Sequence, residues 1–161
     1  MTGLSLMEGA VESVRAWCAD NLETYVEAVN EHYQREPFQI VAPTVFALSE
    51  QTVSPEPPAI LMMGRATFPG DVDESAALET WQDIEVIIVE SHPEQDILRQ
   101  SLYRHTAALV RCLRAGERAG AFHFVWNSPM IRYDPIYRDE DDILWSDAQV
   151  LIRVLTEEMD V

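Results

Sequence analysis

Apolar residues recur at three- and four-residue steps along two long stretches of the chain and at two-residue steps along several shorter ones. In SLMEGAVESVRAWCADNLETYVEAVNEHYQREP, the positions Val11, Val14, Cys18, Leu22, Tyr25, Val29 and Tyr33 fall on one stripe. That period predicts a long amphipathic helix. Ser5 and Glu8 have capping-box spacing at its start, and Pro37 stops it. Trp17 lies off the stripe, on its flank. The second helical stretch runs from about 93 to 115, with Leu98, Leu102, His105, Leu109, Cys112 and Leu113 on its apolar side. Ser91 and Glu94 repeat the capping spacing with Pro93 in the first turn, and Gly116 or Gly120 ends the helix.

Alternation marks the strands. FQIVAPTVFAL (38–48) is broken by Pro43 and reads as an edge or bulged strand. AILMMGRATF (59–68) is a second strand, and PGDVDESAALETW a long polar loop suited to contacts. QDIEVIIVES (82–91) is the clearest strand, with Ile84, Val86 and Ile88 on one face and Ile87 and Val89 on the other. After the second helix come AFHFVWN (121–127), the short extended piece MIRYDPIY, and AQVLIRVLT (148–156) with Val150, Ile152 and Val154 facing one way. The order α-β-β-β-α-β-β implies an α+β fold, an antiparallel-rich sheet with two helices packed on one face. The length, 161 residues, suits one domain spanning 1–161.

Charge narrows the function. The chain has 28 acids against 11 bases, a net charge of −17. Such a field repels nucleic acid at long range and favours basic partners or self-association in salt. Every base is arginine, so Schiff-base and phosphate-loop lysines are absent. A GC-rich coding sequence and a salt-loving host both account for this composition. Cys18 and Cys112 read as reduced core residues. No signal peptide is expected from the N-terminal stretch, and no apolar run reaches the roughly 20 residues that span a bilayer.

Candidate chemistry is sparse. Asp139, Glu140, Asp141 and Asp142, with Asp147 beyond, form an acid-rich stretch. The calcium-loop pattern fails there, because Ile143 and Leu144 stand where a ligand and glycine are needed. A solvated loop before a strand accounts for it. His32, His92, His105 and His123 share no ligand spacing, and His105 sits on an apolar stripe as a hydrogen-bonded core histidine does. His92 is placed in the first turn of the second helix and reads as exposed. There is no serine elbow and no glycine-rich phosphate cradle. Asp83 and Glu85 share a strand face, as in some metal nucleases, but the accompanying lysine is missing. No cofactor or metal is expected.

The second helix reverses the charge. Arg104, Arg111, Arg114 and Arg118 fall within about 80° of one another on a helical wheel, opposite the apolar stripe. A water-facing helix side would look the same. The functional reading is a basic row that docks on the acids Asp139, Glu140, Asp141 and Asp142 of a neighbouring copy. Such head-to-tail contacts are heterologous and close into a ring where the rotation fits, and guanidinium suits carboxylates bidentately. Trp145 and Trp17, set among polar residues, are candidate apolar anchors of the same interface.

The layout resembles the tail terminator proteins of long-tailed phages, also called tail completion or minor tail proteins, and the related head–tail joining proteins. The resemblance runs from about Ser5 to Thr156: a long first helix, three strands with a long loop before the third, a capped second helix, then YDPIYRDEDDILWSDAQVLIRVL closing on a strand. It implies a non-enzymatic virion protein of the tail or neck, assembled in the host cytoplasm. Such a protein forms a hexameric ring that caps the tail tube, stops its polymerisation and joins it to the head connector, while DNA passes through without specific binding. Two other readings stand beside it. One is an acidic DNA mimic or inhibitor that masks a basic partner. The other is a small metal-dependent hydrolase, which requires Asp83, Glu85 and the acids of 139–142 to converge in one cleft.

Overall fold

The structure is a computed structural model that describes residues 6–48, 56–72, 77–125 and 128–159. Helices α1 (Leu6–His32) and α2 (Gln95–Arg118) pack on a mixed seven-stranded sheet. Its strands are β1 (Val45–Leu48), β2 (Ala59–Val72), β3 (Ala77–His92), β4 (His123–Phe124), β5 (Met130–Tyr133), β6 (Tyr137–Arg138) and β7 (Leu144–Met159). Spatially the order is β1-β2-β3-β7, and the short strands β4, β5 and β6 share the outer edge of β7. Among the described residues, only β1, parallel to β2, departs from antiparallel pairing. The chain is therefore α+β, with an antiparallel-rich sheet and both helices on one face.

The period-two pattern of β3 explains the layering. Ile84, Val86 and Ile88 point to the helices and pair in register with Ile152, Val150 and Ala148 of β7. Ile60 and Met62 of β2 extend the same floor. Val14, Cys18 and Leu22 of α1 and Leu102, Leu109 and Leu113 of α2 close it from above. Each fully buried aliphatic side chain contributes about 1.5–3 kcal/mol. The two helices run antiparallel: Trp17 Nε1 donates to the Cys112 carbonyl at 2.8 Å, while the Arg104 guanidinium lies 4.0 Å from the Tyr33 ring centre.

Several expected boundaries shift. The polar stretch at 69–80 is not a long loop, because β2 runs to Val72 and β3 starts at Ala77. Cross-strand pairing carries the polar residues into a long hairpin, whose tip lies outside the described residues. The strand expected over 38–48 shrinks to Val45–Leu48, with Pro43 ahead of it unable to donate to a ladder. Among the described residues of 121–127, His123 and Phe124 form a ladder with β7 and the Val125 N–H donates to the Arg153 carbonyl at 2.7 Å; Trp126 lies outside the described residues. Strands β5 and β6 add pairings that split the expected two closing strands into four. Ser5 of the expected Ser5–Glu8 cap also lies outside the described residues, and Glu8 is in the first turn of α1.

Helix α2 starts without the expected capping box. Its N-cap is Glu94, with no side-chain cap, since β3 persists through His92 and carries Ser91 into the sheet. Half-buried His92 ends that strand rather than opening the helix, and its Nδ1 accepts the Glu94 N–H at 3.0 Å. At the other end, Gly120 rather than Gly116 stops the helix. Gly120 adopts φ 77°, and the N–H groups of Ala121 and Gly120 return to the carbonyls of Gly116 and Glu117, closing a Schellman motif. Gly116 lies inside α2 and is needed there for contact, not for termination. A Cβ at that position would stand 2.5 Å from Phe122 Cζ and 2.9 Å from Trp17 Nε1.

Candidate interaction surfaces

The guanidinium row splits. Arg111, Arg114 and Arg118 are exposed, as the helical wheel requires. Arg104 is not: it is 6% exposed and turned toward α1. Its guanidinium binds the Glu36 carboxylate, donates to the Phe38 carbonyl at 3.1 Å and lies over the rings of Tyr33 and Phe38. It pins the connection after α1 to α2 and is not open to a neighbour. The wheel angle alone missed this, because a long side chain at the border of an apolar stripe can fold inward onto aromatic faces.

His105, the next residue, does the same from inside. Its Nε2 donates to the Val41 carbonyl at 2.8 Å, and its Nδ1 faces the Ser101 carbonyl at 3.1 Å and the Glu90 carboxylate. Burial alone would lower the His105 pKa. The hydrogen bond and charge of Glu90, with the two carbonyls, outweigh it and hold the imidazolium above the usual range. Both ring nitrogens are engaged, so His105 is a structural pin and not a free base. A cleft of about 190 Å³ lies above it, lined by Phe38, Ile40, Pro57, Pro58 and Ser101 among others.

The acid turn is partly spent on its own geometry. Asp139 Oδ1 accepts the N–H groups of Asp141 and Ile143 at 2.9 Å, and Oδ2 accepts Trp145 Nε1 at 2.7 Å. The Trp145 bond first, then the Ile143 N–H, holds the Asp139 carboxyl below its usual range. Asp142, in the left-handed region at φ 67°, pairs with Arg138 at 3.0 Å. Glu140 and Asp141 remain exposed. Trp145 is therefore half-buried and bonded to the turn, and Trp17 is packed against the core between the helices. Each indole N–H finds its partner within the chain.

Away from the helices, the other face of the sheet carries cross-strand ion pairs. Arg153 holds Asp83 bidentately at 2.6 and 2.9 Å and lies 4.7 Å from the Phe68 ring centre. Arg65 binds Glu85. These acids sit in mid-sheet, level with Arg153 and Leu151 of β7, nine and seven residues beyond Leu144, which at strand rise is roughly 23–30 Å from the turn. The convergence that a two-metal hydrolase needs is not formed. Among the described residues no three His, Cys, Asp or Glu side chains are grouped to hold a metal ion. A hollow of about 260 Å³ beside Asp83 and Arg153 is lined by Val125, Ser128, Met130 and Leu151. Cys18 and Cys112 are buried free thiols, and the Cys18 thiol is pushed up by its hydrogen bond with Cys112 and by burial. Among the described residues no helix is long and apolar enough to cross a membrane.

One carboxyl pair was not legible in the sequence. Asp147 on β7 is pushed up to about 7 by burial, by its hydrogen bond with Asp134 and by the charges of Asp134 and Glu85, against the pull of Arg132. Asp134 is correspondingly lowered by bonds from Asp147 and Gln149. The native chain thus keeps a proton that the unfolded chain releases above its ordinary value of 3.8. The contribution of this carboxyl to stability falls as pH rises across that interval and is constant above about pH 7. Asp147→Asn keeps a donor without the charge. It is expected to melt above the parent at pH 8, by no more than the effect of about 1 kcal/mol that like-charged neighbours exert in a sheet. The gap should narrow as pH falls and close only near pH 3.8, the ordinary value; a gap independent of pH in thermal melts would contradict this.

Comparison with protein-family models and with curated proteins returned no match.

Proposed function

We propose that the chain is a non-enzymatic virion component, a ring-forming protein of the tail end or head–tail junction. In this reading it caps the tail tube, stops its polymerisation and meets the head connector, and DNA passes through the ring without specific contacts. One observation carries the proposal. The exposed guanidiniums Arg111, Arg114 and Arg118 occupy the C-terminal half of α2, and the exposed acids Glu140 and Asp141 lie beyond the opposite end of the helix, where β7 pairs with the end of β3. Unlike charges at opposite ends suit a head-to-tail contact, the kind that closes into rings. An acidic protein would not grip the phosphates of passing DNA.

The test is assembly with purified tail tube protein, followed by electron microscopy. Rings at tube ends and a tube length limited by the added chain are expected. Tubes that grow unchecked and bare-ended at saturating chain would refute the proposal. A second reading, an acidic protein that masks a basic partner, is favoured by the carboxylates Glu23, Glu27 and Glu31, which are exposed along α1 at steps of about one helical turn. Stoichiometric binding to a basic nucleic-acid-binding protein, with no response to tube protein, would support that reading instead.

A further inference from the structure

The outward side of α1 carries Glu23, Glu27 and Glu31, all exposed. The outward side of α2, next to it in the same layer, carries Arg111, Arg114 and Arg118. Among the described residues, neither set has an ion pair inside the chain. Two unlike rows, each unsatisfied, lie side by side on antiparallel helices. We propose that this helical layer docks on the same layer of a second copy, the arginines of each α2 lying on the glutamates of the other copy's α1.

The register follows from contacts already described. Trp17 meets Cys112, and Tyr33 meets Arg104. Val29 and Arg111 line one groove of about 120 Å³ between the helices. Glu23 and Glu27 therefore stand level with Arg111 and Arg114 to within about one helical turn. A half-turn about an axis along that groove exchanges α1 and α2 without changing level. It sets each arginine row over the opposing glutamate row, so both contacts form together. The contact is isologous and closes at two copies.

Shape and salt agree with this occupant. Ala107, one turn before Arg111, is exposed on the same outward side of α2. A small side chain there lets helix axes approach to about 8 Å. Two chains of net charge −17 repel at long range. At physiological ionic strength that repulsion is screened beyond about 8 Å, whereas facing pairs lie closer than this. The inference goes beyond the ring: the pair needs no tube, and it covers Arg111 and Arg114. Pair and ring are alternative states of the chain.

Sedimentation equilibrium of the whole chain in about 0.15 M salt tests it. The parent is expected to form dimers. Arg111→Glu with Arg114→Glu should weaken them by about tenfold or more, as should Glu23→Arg with Glu27→Arg. All four positions face solvent, and circular dichroism checks that each variant stays folded. Mixing the two variants should restore a dimer containing one of each. A parent that stays monomeric at high concentration would overturn the proposal without touching assembly on the tube. So would variants that dimerise as the parent does, a mixture with no recovered dimer, or rescue of the arginine variant by Asp141→Arg with Asp142→Arg instead.

Discussion

Replacing His105 with leucine is expected to cost about 3–5 kcal/mol of folding stability, the loss that follows when one member of a buried charged pair is removed. Glu90 is 4% exposed and would be left as a carboxylate with no cation beside it. The Val41 carbonyl would lose its donor as well. Glu90→Leu combined with His105→Leu removes both charges, so the double variant should recover most of the loss. Denaturant midpoints at constant slope measure both. A single variant within about 1 kcal/mol of the parent would show that the pair carries no such weight.

The same pair gives a pH dependence of definite sign. The His105 pKa is raised in the folded chain above its ordinary 6.5. Its contribution is therefore complete below pH 6.5 and is lost as pH rises through the folded value. Asp147 acts in a lower window, so the His105 effect is best read in an Asp147→Asn background. There the stability should be flat from pH 5 to 6 and fall above that range. The His105→Leu, Glu90→Leu double variant should show no such fall.

Gly116→Val is the second large effect. The new Cβ would stand well inside contact distance of Phe122 and Trp17. Overpacking of this kind costs about 1–3 kcal/mol, and displacing the Trp17 indole also removes its bond to the Cys112 carbonyl, worth about 1 kcal/mol more. The other glycines supply controls. At Gly64 the nearest atoms, 2.6 Å away, are Cγ and Sδ of the flexible Met7 side chain, which can turn aside, so alanine there should cost less than the change at Gly116. At Gly9 nothing lies within 4 Å, and alanine should gain up to about 1 kcal/mol from helix propensity. Thermal melts that rank Gly116→Val level with Gly64→Ala would contradict this account of the helix contact.

Period made the framework legible. Both apolar stripes and the alternation of Ile84, Val86 and Ile88 emerge as the buried faces. Pairing was not legible, because hydrogen bonds between strands leave no periodic trace. This is how polar residues at 69–80 came to extend two strands and how β5 and β6 came to line β7. Side-chain reach was equally hidden. Arg104 carries the same wheel position as a solvent-facing arginine, yet the aromatic pair Tyr33 and Phe38 and the Glu36 carboxylate draw it in. Asp139 looked like one of four equivalent acids, but only it meets an indole N–H and two turn amides. The glutamates of α1 were visible in the sequence all along. What pointed to them was the antiparallel placement of α1 beside α2, which requires the fold.

Strand β3 finds its partner very late: His92 pairs with Leu144 and Ala77 with Met159. On a translating ribosome, roughly three to thirteen seconds separate the emergence of the two strands at ordinary elongation rates. Throughout that interval the β2–β3 hairpin has a long bare edge of unpaired amides and carbonyls, a template for another nascent chain. Products that stop short of Leu144 keep that edge permanently and will gather into aggregates, whatever the soundness of their helices.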